Sequence, residues 1–418
     1  IPYCTSHDLR KKHPQIDRVV IVQHGRHYNP ITYFNDMTKA AELAGKKETT
    51  LILAPQVVRY RYIKNFGLDP NYFLQWNKFW VFGTRVAQPF YKSVFDLYDD
   101  VLKLLDQSTN TNFPNLKNVV IAGHSAGGQF VQRFALASAF WPKNFHLRYI
   151  IMNPSTYGYL AEDRPYELTD VVKMICPQYN NWGYGLAKMW SFNKLVGGPE
   201  GMRENYRGRD VVYLLGDKDT KGYGESKLDS TCPAALQGPN RFARGMNYYK
   251  HIQKVFGTDG KRDDKIHRIA VVPDAGHKQA QMFQSPTSLP FIFGDEDGDD
   301  YIERIPEVGR NGEESEKADK DDDWYGDDWY DDDANDEEDQ NEEEDENEMI
   351  EGDNPDGQVA EAAGAFSLML EGPPRVYNHT LAADAIATEV VLEQAAAEEV
   401  AHDPRPNRSD TTSASSSG

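Results

Sequence analysis

The stretch Val119-Val120-Ile121-Ala122-Gly123-His124-Ser125-Ala126-Gly127-Gly128-Gln129 decides the fold of this chain. Its first four residues are uniformly apolar, as in a strand buried on both faces. Gly128-Gln129-Phe130-Val131-Gln132-Arg133-Phe134 reads as the helix that follows. Between them, Gly-x-Ser-x-Gly puts a serine on a sharp turn from strand to helix. The spacing has a steric cause. A hydroxyl exposed on a strained turn needs small neighbours, so that strand and helix can approach. A glycine-rich turn without chemistry fits the same pattern, so the rest of the chain must supply partners for Ser125.

Those partners follow downstream. Asp210 to Leu215 reads as a buried strand, and Gly216-Asp217-Lys218-Asp219-Thr220 leaves its end. His267 to Val272 reads as the next strand and runs into Pro273-Asp274-Ala275-Gly276-His277. A serine hydroxyl is a poor nucleophile until an imidazole takes its proton. The imidazole in turn needs a carboxylate on its other nitrogen to fix its tautomer and charge. Ser125 is therefore the expected nucleophile, His277 the general base and acid, and Asp219 the orienting carboxylate. Asp217 is the rival acid, and a Gly-x-x-Asp spacing favours Asp219. Asp274 stands close to His277 in sequence and reads as a turn-stabilising residue. His24 is an alternative base, ranked low because it precedes the serine. An oxyanion hole needs two backbone N–H groups. One is expected from Ala126. The other is expected from Gly25 or Arg26, in the loop that leaves the strand Arg18 to Gln23.

Strand and helix patterns alternate along the chain. A helix is expected near Ile31–Ala44, a strand over Thr50–Pro55, and another over Leu147–Met152, ending at Asn153-Pro154-Ser155. Val86, Phe90, Val94, Leu97, Val101, Leu104 and Leu105 recur at helical spacing, which predicts an amphipathic helix over 86–107. Gln237-Gly238-Pro239-Asn240-Arg241 is expected to open a helix that runs to about Phe256, with Pro239 suited to an N-terminal helical position. This alternation indicates an α/β fold, a mostly parallel sheet with helices on both faces. Such sheets bind ligands at the carboxyl ends of their strands, where the residues above fall.

The pattern breaks between Thr156 and Arg209, where Tyr157, Tyr159, Tyr166, Trp182, Tyr184, Trp190 and Phe192 crowd a loop-like stretch. A lid insertion over 156–209, above an apolar pocket, explains them. So does a satellite core beneath a long connection. Trp76 and Trp80 pose the same choice. His24, Trp76, Trp80 and Tyr157 are the candidate substrate contacts.

Charge divides the 418 residues into parts. Residues 295–356 carry 32 of the 66 acidic side chains and four basic ones, a balance of −28. Residues 1–294 hold 38 Lys+Arg against 25 Asp+Glu, or +13, so the overall −21 conceals two opposed parts. The first 294 residues suit one catalytic domain with a sizeable core. Residues 295–356 cannot bury enough apolar surface to fold and are expected to be disordered. Residues 357–418 form a low-complexity tail with a helix expected over 381–400 and a Ser-rich end. The repeat Asp323-Trp324-Tyr325 and Asp328-Trp329-Tyr330 reads as a solvated spacer or an anchor for basic surfaces. Asp295, Asp297 and Asp299 have calcium-loop spacing, but Asp300 stands where glycine is required and Pro306 where glutamate is required. No metal or cofactor is expected beyond weak condensation of cations on the acidic tail.

Cys4, Cys176 and Cys232 are too few for a disulfide framework. Their positions leave a Cys176–Cys232 bridge open, with Cys4 left over. No run reaches the roughly 18 apolar residues that a membrane span needs. The chain begins at Ile1 and carries glycosylation sequons at Asn378 and Asn407. Two readings stay open: a removed signal peptide, with a secreted or extracellular location, or a fragment of a longer chain.

On His24-Gly25, Ala54-Pro55, the Gly123–Gln129 turn, Asn153-Pro154-Ser155-Thr156-Tyr157, Gly216 with Asp219, and Pro273–His277, the chain resembles the α/β-hydrolase superfamily over residues 15–294. It looks most like an esterase-like branch of secreted or microbial serine hydrolases. The resemblance implies hydrolysis of a small or polymeric carboxylic ester through an acyl-enzyme, with no nucleic-acid partner. Amide, thioester or polyester cleavage by the same triad are the alternatives. A third is a non-catalytic binding protein acting through its acidic tail. Dehalogenase chemistry would need an acid where Ser125 stands.

Overall fold

Seven strands, β1 (Tyr3–Thr5), β2 (Arg18–Gln23), β3 (Thr50–Pro55), β4 (Asn118–His124), β5 (His146–Met152), β6 (Asp210–Gly216) and β7 (His267–Val272), form one sheet in the order β1-β3-β2-β4-β5-β6-β7. The structure is a computed structural model. It describes residues 1–294 except 60–62, 64–68, 70–72, 85–91, 110, 190–195, 225 and 258–266. The acidic segment, the calcium-like spacing, the helix expected over 381–400 and both sequons lie outside the described residues, as do Val86, Phe90, Trp190 and Phe192.

Strands β2 to β7 pair in parallel, and only β1, an edge strand the periodicity does not reveal, runs antiparallel. The chain steps from β2 outward to β3, then returns to the other side of β2 as β4. This reversal leaves a crevice at the carboxyl ends of β2 and β4, the usual binding position in such sheets. The topology is that of the α/β-hydrolase fold.

Side chains alternate across the sheet and feed two cores. Val19, Ile21, Val119, Ile121, Tyr149, Ile151, Val211 and Tyr213 face one core. Helices α2 (Val94–Ser108), α3 (Ala126–Ala137) and α7 (Arg241–Phe256) pack residues into it, among them Phe95, Phe130 and Tyr248. Val20, Val22, Ile52, Val120, Ile150, Met152, Val212 and Leu214 face the other. That core is closed by α1 (Pro30–Leu43), α8 (Gln279–Gln284) and α9 (Leu289–Phe293).

Two expected helix starts move for a stated reason. Ser93 accepts from the Asp96 N–H while Asp96 accepts from the Ser93 N–H, a reciprocal cap that starts α2 at Val94. Asn240 caps α7 by accepting from Ala243 N–H, so Pro239 lies before the helix and not inside its first turn. The remaining helices are short: α4 (Asp170–Ile175), α5 (Gly198–Arg207) and α6 (Cys232–Ala235). Cys176, which caps the end of α4, and Cys232, the first residue of α6, form a disulfide, and Cys4 is a free thiol. No described helix is long and apolar enough to cross a membrane.

Candidate active site

Ser125 sits between β4 and α3 with φ 59° and ψ −123°. Three glycines make that turn sterically feasible. A Cβ on Gly123 would lie 2.2 Å from the Gly127 carbonyl oxygen, and one on Gly127 would lie 2.3 Å from that of Gln23. A Cβ on Gly128 would lie 2.7 Å from the Met152 oxygen. The Ser125 N–H donates to Met152 O at 3.0 Å, fastening the turn to β5.

The structure brings Ser125, His277 and Asp219 together from loops far apart in sequence. His277 Nε2 is 3.0 Å from Ser125 Oγ, and its Nδ1 is 2.7 Å from Asp219 Oδ2. The Asp219 side chain is 1% exposed and that of His277 30%. With a proton on Nδ1 bonded to the carboxylate, Nε2 presents its lone pair to the hydroxyl. Burial pulls His277 below its ordinary value. The Asp219 bond opposes that pull, and the Arg241 cation reinforces it. Arg241 is buried, with its guanidinium 3.8 Å from Asp219 Oδ1 and bonds to Ser226 Oγ and Lys227 O.

The rival acids lie elsewhere. Asp217 shares the turn with Asp219, but His277 is not its partner, and its Oδ1 is buried without a hydrogen bond. Asp274 has a 90% exposed side chain and pairs with Lys218 at 3.9 Å.

His24 is fully buried, and backbone groups occupy both its ring nitrogens in this structure: Nδ1 bonds Gly25 O at 2.8 Å, and Nε2 accepts from Val57 N–H at 3.1 Å. Burial lowers its pKa to about 4, so it is neutral. Its effect falls on the neighbouring loop. With Gly25 O held by His24 and by the Tyr28 N–H, planarity sends the Arg26 N–H to the opposite side of that peptide. The Gly25 backbone itself bonds the Tyr33 hydroxyl, and a Cβ there would meet that oxygen at 2.6 Å. Ala126 opens α3, so its N–H is one of the four without an intrahelical acceptor.

Trp76, Trp80 and Tyr157 are likewise sealed away from solvent, against the expectation that they line a pocket. Trp80 packs beside His24 and Phe130 and donates to Tyr28 Oη. Tyr157 stacks on Tyr248 with ring centroids 4.4 Å apart. Tyr159 and Trp182 are also buried, so these aromatics of the 156–209 stretch pack as core. The Arg133 guanidinium, bonded to Thr156 and Gly183, ties that stretch down.

Two further residues at the site stand inside the quoted motifs, but the sequence assigns neither a role. His124 is buried behind His277, ring centroids 4.6 Å apart, with Tyr33 Oη 3.4 Å from its Nδ1. Asn153, fully buried at the end of β5 with φ 44°, accepts from Gly216 N–H at 2.9 Å and donates to Gly276 O at 3.3 Å. The described residues contain no group of side chains suited to hold a metal ion.

No known family profile and no curated protein matches the chain. Solved structures similar to it include LpqC, a poly(3-hydroxybutyrate) depolymerase from Bordetella parapertussis, at 24% identity, 68% coverage of this chain and 80% of that one, TM-score 0.45. Poly(aspartic acid) hydrolase-1 from Sphingomonas sp. KT-1 is similar at 22% identity, 67% and 89% coverage, TM-score 0.45. The siderophore hydrolase EstB from Aspergillus nidulans is similar at 12% identity, 69% and 88% coverage, TM-score 0.34.

Proposed function

We propose that this protein is a serine hydrolase that cleaves carboxylic esters through an acyl-enzyme. The observation that carries the reading is the unbroken chain from Ser125 Oγ through His277 to Asp219, at 3.0 and 2.7 Å. Ser125 Oγ attacks the ester carbonyl carbon while His277 Nε2 takes the hydroxyl proton. The N–H groups of Ala126 and Arg26 receive the charge that develops on the carbonyl oxygen. The carbon–alcohol bond then breaks, and His277 returns its proton to the leaving alcohol. Water attacks the acyl-serine, its proton passes to His277, and the acid leaves as Ser125 regains its hydroxyl proton. Asp219 holds the tautomer and balances the imidazolium.

Ser125→Ala tests the reading on a short-chain chromogenic ester. In comparable systems, loss of the nucleophile lowers kcat by about 10⁶-fold. A near-complete loss with an unchanged melting temperature is the expected result. Turnover retained in pure Ser125→Ala protein overturns the assignment.

A further inference from the structure

We propose that Asn153 is a positioning residue that sets the Asp219 and His277 loops at the separation at which His277 meets Ser125. This inference rests on the hydrolytic reading above. The end of β5 is the one place in the sheet flanked by both β4, which carries the Ser125 turn, and β6, which carries the Asp219 turn. Three loops converge on the dipeptide Met152-Asn153. Met152 O accepts the Ser125 N–H at 3.0 Å. Asn153 Oδ1 accepts the N–H of Gly216, whose own carbonyl accepts the Asp219 N–H at 3.1 Å. Asn153 Nδ2 donates to the carbonyl of Gly276, the residue before His277.

The amide is matched to that task. One planar group must both accept from one loop and donate to the other. Aspartate cannot donate, serine cannot span the gap, and alanine does neither. The backbone at φ 44° excludes most alternatives, while asparagine tolerates the left-handed region. Besides the Asp219–His277 bond itself and the Lys218–Asp274 pair, two backbone bonds join the same loops, from Asp217 N–H to Val272 O and from Lys218 N–H to Ala275 O. Neither reaches the residue beside His277, and neither connects to the strand that holds Ser125. A Cβ on Gly216 would fall 2.3 Å from Ala275 O, so the seam has no slack to replace the amide.

Asn153→Gly keeps the backbone conformation available and removes the amide. Displacing a catalytic group by about 1 Å can cost about 10²-fold in rate. The expected result is a kcat on a short-chain ester reduced to about that extent, with KM nearly unchanged. The downfield NMR signal of the His277 Nδ1 proton should weaken in parallel. Folded Asn153→Gly with the wild-type kcat and an unchanged signal overturns the proposal. If the glycine variant does not fold, Asn153→Asp keeps the shape and the acceptor but loses the donor. It should show the same fall in kcat, and wild-type turnover in that variant overturns the proposal. In the wild-type protein the Asn153 side-chain protons should exchange slowly, and exchange at the solvent rate counts against it whichever variants fold. Wild-type protein that neither hydrolyses esters nor reacts at Ser125 sinks the hydrolytic reading instead, so the two failures are distinct.

Discussion

Ser125 holds a positive-φ conformation that costs a non-glycine residue about 1–3 kcal/mol. The turn survives because surrounding backbone leaves it no alternative, with Met152 O on its N–H and Gly123, Gly127 and Gly128 packed against carbonyls. His277, facing it, is held below its ordinary value chiefly by burial. A general base acts in its neutral form, so kcat/KM should fall as pH drops and His277 gains a proton. Because the shift is downward, the midpoint of that fall belongs below the reference imidazole value of about 6.5. A pH profile on a neutral ester measures it, and a midpoint above 6.5 contradicts this environment for His277. Ser125, Asp219 and His277 were legible because each leaves a strand in a known order, with a spacing that separates Asp219 from Asp217. The surroundings of His24 are not legible in the sequence, because one of its ring partners, Val57, belongs to backbone that only the fold brings near. Asn153 went unassigned for the same reason: its two partners lie on loops 63 and 123 residues away.

At the scale of elements, the glycines of the Ser125 turn serve close approach. The β4–α3 corner packs backbone to backbone against the ends of β2 and β5. Gly127→Ala would press a methyl group against Gln23 O at 2.3 Å and His24 O at 2.7 Å, and neither is the far end of a flexible side chain. Overpacking of this kind costs about 1–3 kcal/mol. The strain would be released by moving Ser125 away from the His24–Arg26 loop. Gly127→Ala is therefore expected to lower both the melting temperature and kcat, and a variant matching wild type in both would refute the close-packed corner. Buried parallel strands were legible to within two residues, because uniform apolar runs have few other readings. Helix starts were less so where a cap decided them, as at Ser93 and Asn240. The aromatics after Thr156 were ambiguous because packing and pocket lining use the same side chains. Their burial, with Tyr157 stacked on Tyr248 and the segment held by Arg133 through Thr156 and Gly183, follows from tertiary contacts that local composition does not encode.

Across the molecule, one topological reversal organises the site. Returning the chain past β2 to form β4 puts the Gly25 loop beside the Ser125 turn, and the next strands in order, β5, β6 and β7, deliver Asn153, Asp219 and His277 along the same edge. The two cores fix that edge from both faces, so side chains separated by 152 residues meet at hydrogen-bond distance. The proposed reaction depends on this meeting more than on any single residue. Reacting the purified protein with a fluorophosphonate probe and locating the adduct by peptide mass tests it most directly. One adduct is expected, on Ser125, formed far more slowly in His277→Ala. A folded protein left unmodified, or modified elsewhere with Ser125 intact, would contradict it.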